Sequence, residues 1–357
     1  MLDETRTQAS HQHETTAPGA HAPGSETSTA PGALAPRSET STSGAGREGS
    51  ETSKSQAGRA VRETSTTDAH AARRETIVTD TRPTGWDETT TPDSHPAWNE
   101  ADVPGARLAW TRTGSGPAAV WAHPLCSSSL TPESFGAFDW SPVAAAGRQL
   151  VRYDARGHGR STGQPVPDDF RFPRLARDLL TLLDVVSPDA PVAGIGLSLG
   201  TATLLHAAVM APHRFDRLVL TAPPTAWESR PQQAAAYEQL ADLVEEHGAG
   251  VIDTALAAAP VPDPYRGAPG FPFPIEADAD LLPAILRGAA ASDLPAKEAL
   301  AGLRMPVLIL PWTGDPGHPL STAETLASVI PGARMKTAHH MDDLRAWGAD
   351  AAQFLRP

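Results

Sequence analysis

The chain has 357 residues, with 42 acidic against 29 basic side chains and a net charge of −13. With no block of Lys or Arg, that balance disfavours nucleic acid and anionic membrane surfaces as partners. One cysteine, Cys126, excludes an intramolecular disulfide and a cysteine-rich metal site, and no stretch reaches the length of a membrane span.

Taken in chain order, the first ninety-odd residues carry few bulky apolar side chains: Met1, Leu2, Leu34, Val61, Ile77, Val78 and Trp86. The rest is Ser, Thr, Glu, Ala, Pro and Gly, with a near-repeat at Ser25-Glu26-Thr27-Ser28, Ser38-Glu39-Thr40-Ser41 and Ser50-Glu51-Thr52-Ser53. Such a segment buries too little apolar surface to offset roughly 1–2 kcal/mol of backbone entropy per ordered residue. Residues 1–95 are therefore expected to be a disordered low-complexity tail, and residues 96–357 one globular domain. The start, Met1-Leu2-Asp3-Glu4-Thr5-Arg6, has no apolar h-region, so a soluble, cytoplasmic protein is expected.

In the globular part, short apolar runs alternate with helical patterns, the signature of an α/β fold with a mostly parallel sheet and helices on both faces. Strands are expected at 107–113, 118–121 and 149–153, the last ending in the turn Asp154-Ala155-Arg156-Gly157-His158-Gly159. Leu175, Leu179, Leu182, Leu183 and Val186 share one helical face before Pro188 stops the helix. Further strands follow at 190–195 and 217–220. From about 224 to 303 the alternation breaks and prolines crowd between helical pieces, which reads as a lid over the sheet edge. It resumes with a strand at 306–310, a helix over 321–329, a strand at 334–337 and a closing helix from Asp342.

Gly196-Leu197-Ser198-Leu199-Gly200 lies where the 190–195 strand meets a helix-prone run. A serine between two glycines at a strand-to-helix junction reads as a nucleophile elbow. The turn is so sharp that side chains two residues either side of the serine collide, hence Gly196 and Gly200. Serine is a weak nucleophile until a histidine, itself held by a carboxylate, takes its proton. The strand at 306–310 runs into Trp312-Thr313-Gly314-Asp315, and the strand at 334–337 runs into Ala338-His339-His340. Parallel strands end at one edge, so Ser198, Asp315 and His339 are expected to meet there, with His340 as the alternative register.

These pieces resemble the α/β-hydrolase superfamily, in its branch of esterases, enol-lactonases, cofactor-free haloperoxidases and carbon–carbon bond hydrolases. The resemblance covers essentially all of residues 97–357. It is carried by His123-Pro124-Leu125, the turn Tyr153 to Ser161, the elbow, Ala211-Pro212-His213-Arg214-Phe215, and Gly314-Asp315-Pro316 with Pro319. It implies that Ser198 attacks, His339 takes and returns the proton, Asp315 fixes the imidazole, and the backbone N–H groups of Leu125 and Leu199 bind the oxyanion. Three places depart from the family pattern: proline at 124 for the usual glycine, Thr201 where a second glycine is common, and no glycine in the Ala338-His339-His340-Met341 turn.

The expected function is a serine hydrolase cleaving an ester, thioester or lactone of a small, fairly apolar molecule through an acyl-enzyme. Carbon–carbon bond hydrolysis or perhydrolysis at the same site, and an inactive binding module, are the alternatives. No cofactor and no metal is implied, and the oligomeric state is left open. His318 reads as a turn residue, His158 and Arg156 as parts of a structural turn, and Cys126 as a small buried hydrophobe. Tyr237, Tyr265, Phe271 and Phe273 are candidate pocket walls.

Overall fold

The computed structural model describes residues 97–134, 136, 138–266 and 271–357. The expected low-complexity tail, residues 1–95, lies outside the described residues. Strands form at Asn99–Val103 (β1), Ala106–Thr113 (β2), Ala118–Ala122 (β3), Gln149–Tyr153 (β4), Val192–Leu197 (β5), Phe215–Thr221 (β6), Val307–Leu310 (β7) and Arg334–Met335 (β8). They make one eight-stranded sheet in the order β1-β2-β4-β3-β5-β6-β7-β8. The β1–β2 and β2–β4 pairs are antiparallel, and every pair from β4–β3 to β7–β8 is parallel.

The central strands are continuously apolar because both faces are covered. Alternate residues divide between two cores. Val120, Leu218, Leu220, Val307 and Ile309 pack on one side with the helices Phe172–Val186, Leu199–Met210 and Leu320–Val329. Trp121, Ile195, Val219, Leu308 and Leu310 pack on the other, with the closing helix Met341–Phe354. No helix among the described residues is long and apolar enough to cross a membrane.

Two expectations shift. Strand β1 was not foreseen, because Asn99-Glu100-Ala101-Asp102-Val103 turns only Ala101 and Val103 inward and has no apolar run. It forms as the outer arm of a hairpin whose turn holds Gly105 at φ +79°. The strand expected at 334–337 is assigned only at Arg334–Met335, both exposed at the sheet edge. Between β6 and β7, the 224–303 segment folds into the helices Arg230–His247, Val251–Ala258, Leu282–Ala290 and Lys297–Leu300. It has a small core of its own, built on Ala241, Val244, Ile252, Leu282 and Leu286.

Register sets the level of the site. Ala122 pairs with Gly196, Leu197 with Thr221 and Thr221 with Leu310, so β3, β5, β6 and β7 end together. At the end of β5 the chain reverses through Ser198, held at φ 53° and ψ −108°, a region that side chains other than glycine rarely occupy. A Cβ on Gly196 would fall 2.6 Å from the Gly200 carbonyl, and one on Gly200 would overlap the carbonyl oxygen of Ala122. Thr201 is accommodated where a further glycine was expected. Its hydroxyl donates to Gly196 O at 2.8 Å and Thr221 O at 3.0 Å, two bonds that a three-centre donor shares across the elbow.

The steric reading has a direct check. Gly200→Ala is expected to cost at least ~2 kcal/mol in chemical denaturation, since its methyl meets backbone that has no room to move. Gly250→Ala, at a helical φ of −61° with nothing nearby, should stay within about 1 kcal/mol of wild type and on the stabilising side.

Candidate active site

The elbow presents Ser198 Oγ to His318. The hydroxyl donates to His318 Nε2 at 2.7 Å, and His318 Nδ1–H donates to Asp315 Oδ2 at 2.6 Å. Asp315 Oδ1 accepts the Gly317 N–H at 2.8 Å, and Oδ2 also accepts the Trp312 indole N–H at 3.0 Å. Burial by itself would raise the Asp315 carboxyl. The His318 ring, the Gly317 N–H and the Trp312 N–H outweigh it and hold the group below the ordinary carboxylate range. The carboxyl is thus ionised at neutral pH, its negative charge directed at the Nδ1 edge of the imidazole.

His318 stands where His339 was expected, and this is a correction. After β8 the chain turns back at once. Ala338 bridges to Trp312, and the closing helix starts at Met341. His339 and His340 therefore fall at the helix N-terminus, exposed, their backbone N–H groups donating to Asp343 Oδ2 at 2.8 and 3.0 Å. They border a separate surface hollow with Asp263, Arg266 and Met341. The missed signal was the spacing in Asp315-Pro316-Gly317-His318: a loop this tight brings carboxylate and imidazole together within itself. Ser198 and Asp315 bond the two ring nitrogens of the same histidine, and Gly196 and Gly200 flank the elbow.

Leu199 is the first residue of the elbow helix, so its N–H has no acceptor in a preceding turn. Leu125 follows Pro124 in the loop after β3 and lines the same cavity as Ser198. Two buried histidines pin this loop. The Ala155 N–H donates to His123 Nε2 at 2.8 Å, and His123 Nδ1–H donates to Pro124 O at 2.8 Å. The Cys126 N–H donates to His158 Nε2 at 3.2 Å, and His158 Nδ1–H donates to Arg156 O at 2.8 Å. Each ring works as a neutral two-ended connector. Burial, reinforced by His123, pushes His158 down to about 3, so it carries no charge at working pH. Arg156 is equally committed, its guanidinium paired with the buried Asp178 at 2.9 and 3.0 Å.

The cavity in front of Ser198 has a volume of about 260 Å³. Apart from Ser198, Asp315 and His318 its walls are mainly apolar: Leu125 and Leu197 from the sheet edge, and Leu240, Ile252, Leu256, Phe271, Phe273, Ile275 and Leu286 from the 224–303 segment. Tyr237 also lines it, whereas Tyr265 is buried behind it, stacked on Phe271 with ring centroids 4.7 Å apart. Burial pushes the Cys126 thiol up to about 12, which makes it a poor nucleophile beside Ser198. Among the described residues, no group of three or more His, Cys, Asp or Glu gathers in a way that could hold a metal ion.

Residues 132–243 match the family described as the alpha/beta hydrolase fold. Among solved structures, a thermophilic esterase from Thermogutta terrifontis superposes with a TM-score of 0.61 at 20% identity, covering 73% of this chain and 97% of that one. The enol-lactonase from Burkholderia xenovorans LB400 gives 0.60 at 23% identity, covering 72% and 100%. An esterase from Exiguobacterium antarcticum gives 0.56 at 16% identity, covering 73% and 98%.

The buried histidines leave a signature in the pH dependence of stability. His158 has a folded value near 3 against 6.5 for the free side chain, so on acidification the unfolded chain takes up the proton first. Its contribution is complete above about pH 6.5 and is lost progressively as pH falls toward 3, by roughly 4 kcal/mol over the whole window. Urea denaturation between pH 7 and 4 should show this slope. His158→Gln, which can still donate and accept, should flatten it, leaving the part contributed by His123.

Proposed function

We propose that this chain, which has the α/β-hydrolase fold, is a serine hydrolase cleaving an ester, thioester or lactone of a small, fairly apolar molecule. The observation that carries the reading is the unbroken hydrogen-bond chain from Ser198 through His318 to Asp315.

In this mechanism the substrate carbonyl lies in the cavity with its carbon against Ser198 Oγ. As Oγ attacks, its proton passes to His318 Nε2, and the imidazolium so formed is stabilised by Asp315 across the Nδ1 bond. The carbonyl oxygen gains charge between the N–H groups of Leu125 and Leu199, donors that serve best where charge develops. His318 then gives the proton to the departing alcohol, thiol or enol oxygen as the tetrahedral intermediate collapses to the acyl-enzyme. A water deprotonated by the same Nε2 reverses the sequence, releases the acid and restores Ser198. An apolar wall around the acyl group favours neutral substrates, because a charge there would be desolvated without a partner.

The resemblance to an esterase and an enol-lactonase, over 73% and 72% of this chain, supports the same class of chemistry. Ser198→Ala and His318→Ala are each expected to lower kcat on para-nitrophenyl butyrate by at least about 10³-fold. His339→Ala should stay within about twofold of wild type, as its ring lies at the surface. Labelling with a fluorophosphonate probe should mark Ser198 in wild type and fade in His318→Ala. A folded protein that takes no label and turns over no ester would move the binding-module reading to first place.

A further inference from the structure

Trp312 is the donor to Asp315 whose role the mechanism above leaves unassigned. Its indole Nε1–H reaches the same oxygen, Oδ2, that accepts from His318, at 3.0 against 2.6 Å. A carboxylate rotates broadly about its terminal torsion unless its partners fix it. Gly317 on Oδ1 and Trp312 on Oδ2 leave one orientation, the one that faces His318.

The indole is itself fixed without help from the acid. It is 5% exposed, stacked on Trp347 at 5.9 Å with planes 8° apart, and met edge-on by Tyr265 at 5.5 Å and by His318 at 5.3 Å. Its backbone bridges to Ala338. Burial alone does not compel the bond to Asp315, since the buried indole N–H groups of Trp110 and Trp140 have no acceptor.

We propose that Trp312 is a positioning residue for the reaction: its indole N–H holds the Asp315 carboxylate in register with His318 and shares the charge of Oδ2 with the imidazole. This rests on the Ser198–His318–Asp315 reading. The sharing has a sign. With the indole donor removed, Oδ2 offers more of its charge to His318, so the imidazolium is favoured and the base is protonated at higher pH. The other titratable groups packed around the couple come from the 224–303 segment, the loop after β3 and the turn after Ala338. Burial keeps the hydroxyls of Tyr237 and Tyr265 and the Cys126 thiol protonated. Asp263, packed against Gly314 and bonded by Thr313, is held in its charged form, and His339 acts on Asp263.

The test replaces Trp312 alone with 3-benzothienylalanine, which keeps the indole shape and puts sulfur where the N–H stood. On para-nitrophenyl butyrate, kcat is expected to fall about tenfold with KM little changed, the loss of one hydrogen bond to a charged group. The acid limb of the kcat/KM profile should move to higher pH, with the melting temperature lowered by no more than a few degrees. Trp312→Phe should shift the limb the same way even where it also lowers stability. A sulfur analogue with wild-type kcat and an unmoved acid limb would overturn the proposal. A readout independent of turnover is the low-field proton resonance of the His318–Asp315 bond, assigned by its loss in His318→Ala. Its displacement in the analogue supports the assignment of Trp312 even if Ser198→Ala retains activity, which would sink the parent reading alone. An unchanged resonance would overturn the proposal outright.

Discussion

Everything at the Ser198 edge of the sheet depends on one approach of backbone to backbone, Gly200 against the Ala122 carbonyl at the end of β3. That contact lets the elbow helix start within a residue of β5, forces Ser198 into a left-handed conformation and brings Leu199 N–H toward the loop after β3. The hydroxyl of Thr201 reinforces it by bonding both Gly196 O and Thr221 O. Strain at Ser198 is therefore held by contacts on three strands, which is what keeps a sparsely populated conformation in place.

The neighbouring loop is held by a different device. His123 and His158 are buried without charge, each spanning two backbone groups that the sheet does not satisfy. The 224–303 segment adds to this frame. The Glu276 N–H donates to Cys126 O at 2.9 Å, and the Gly159 N–H donates to Glu276 O at 2.6 Å. The segment that walls the cavity is thereby tied to the loop that faces Ser198. Apolar contacts shape the pocket, while backbone bonds fix its distance from Ser198.

Much of this was legible in the residues. Apolar runs at 149–153 and 306–310 fall close to β4 and β7, and the glycine pair about Ser198 reports a steric fact. Asp315 follows because its strand ends beside the elbow. The base did not follow. Reading strands by their ends leads to His339, but a two-residue edge strand and an immediate helix turn that histidine outward. His318 was hidden by its own context, between Gly317 and Pro319, where turn residues are ordinary. Strand β1 was illegible for a simpler reason, since a half-exposed edge strand needs few apolar residues.

Asp315 and His318 are three residues apart, and Ser198 is 120 residues from His318. One leg of this hydrogen-bond chain is thus as local as a helical turn, with almost no loop to close, and the other spans a third of the chain. The entropy of assembling the site is concentrated in a single long-range meeting. In the language of contact order, the His318–Asp315 hydrogen bond can form as soon as its loop does, and the arrival of the elbow brings Ser198 to the pair.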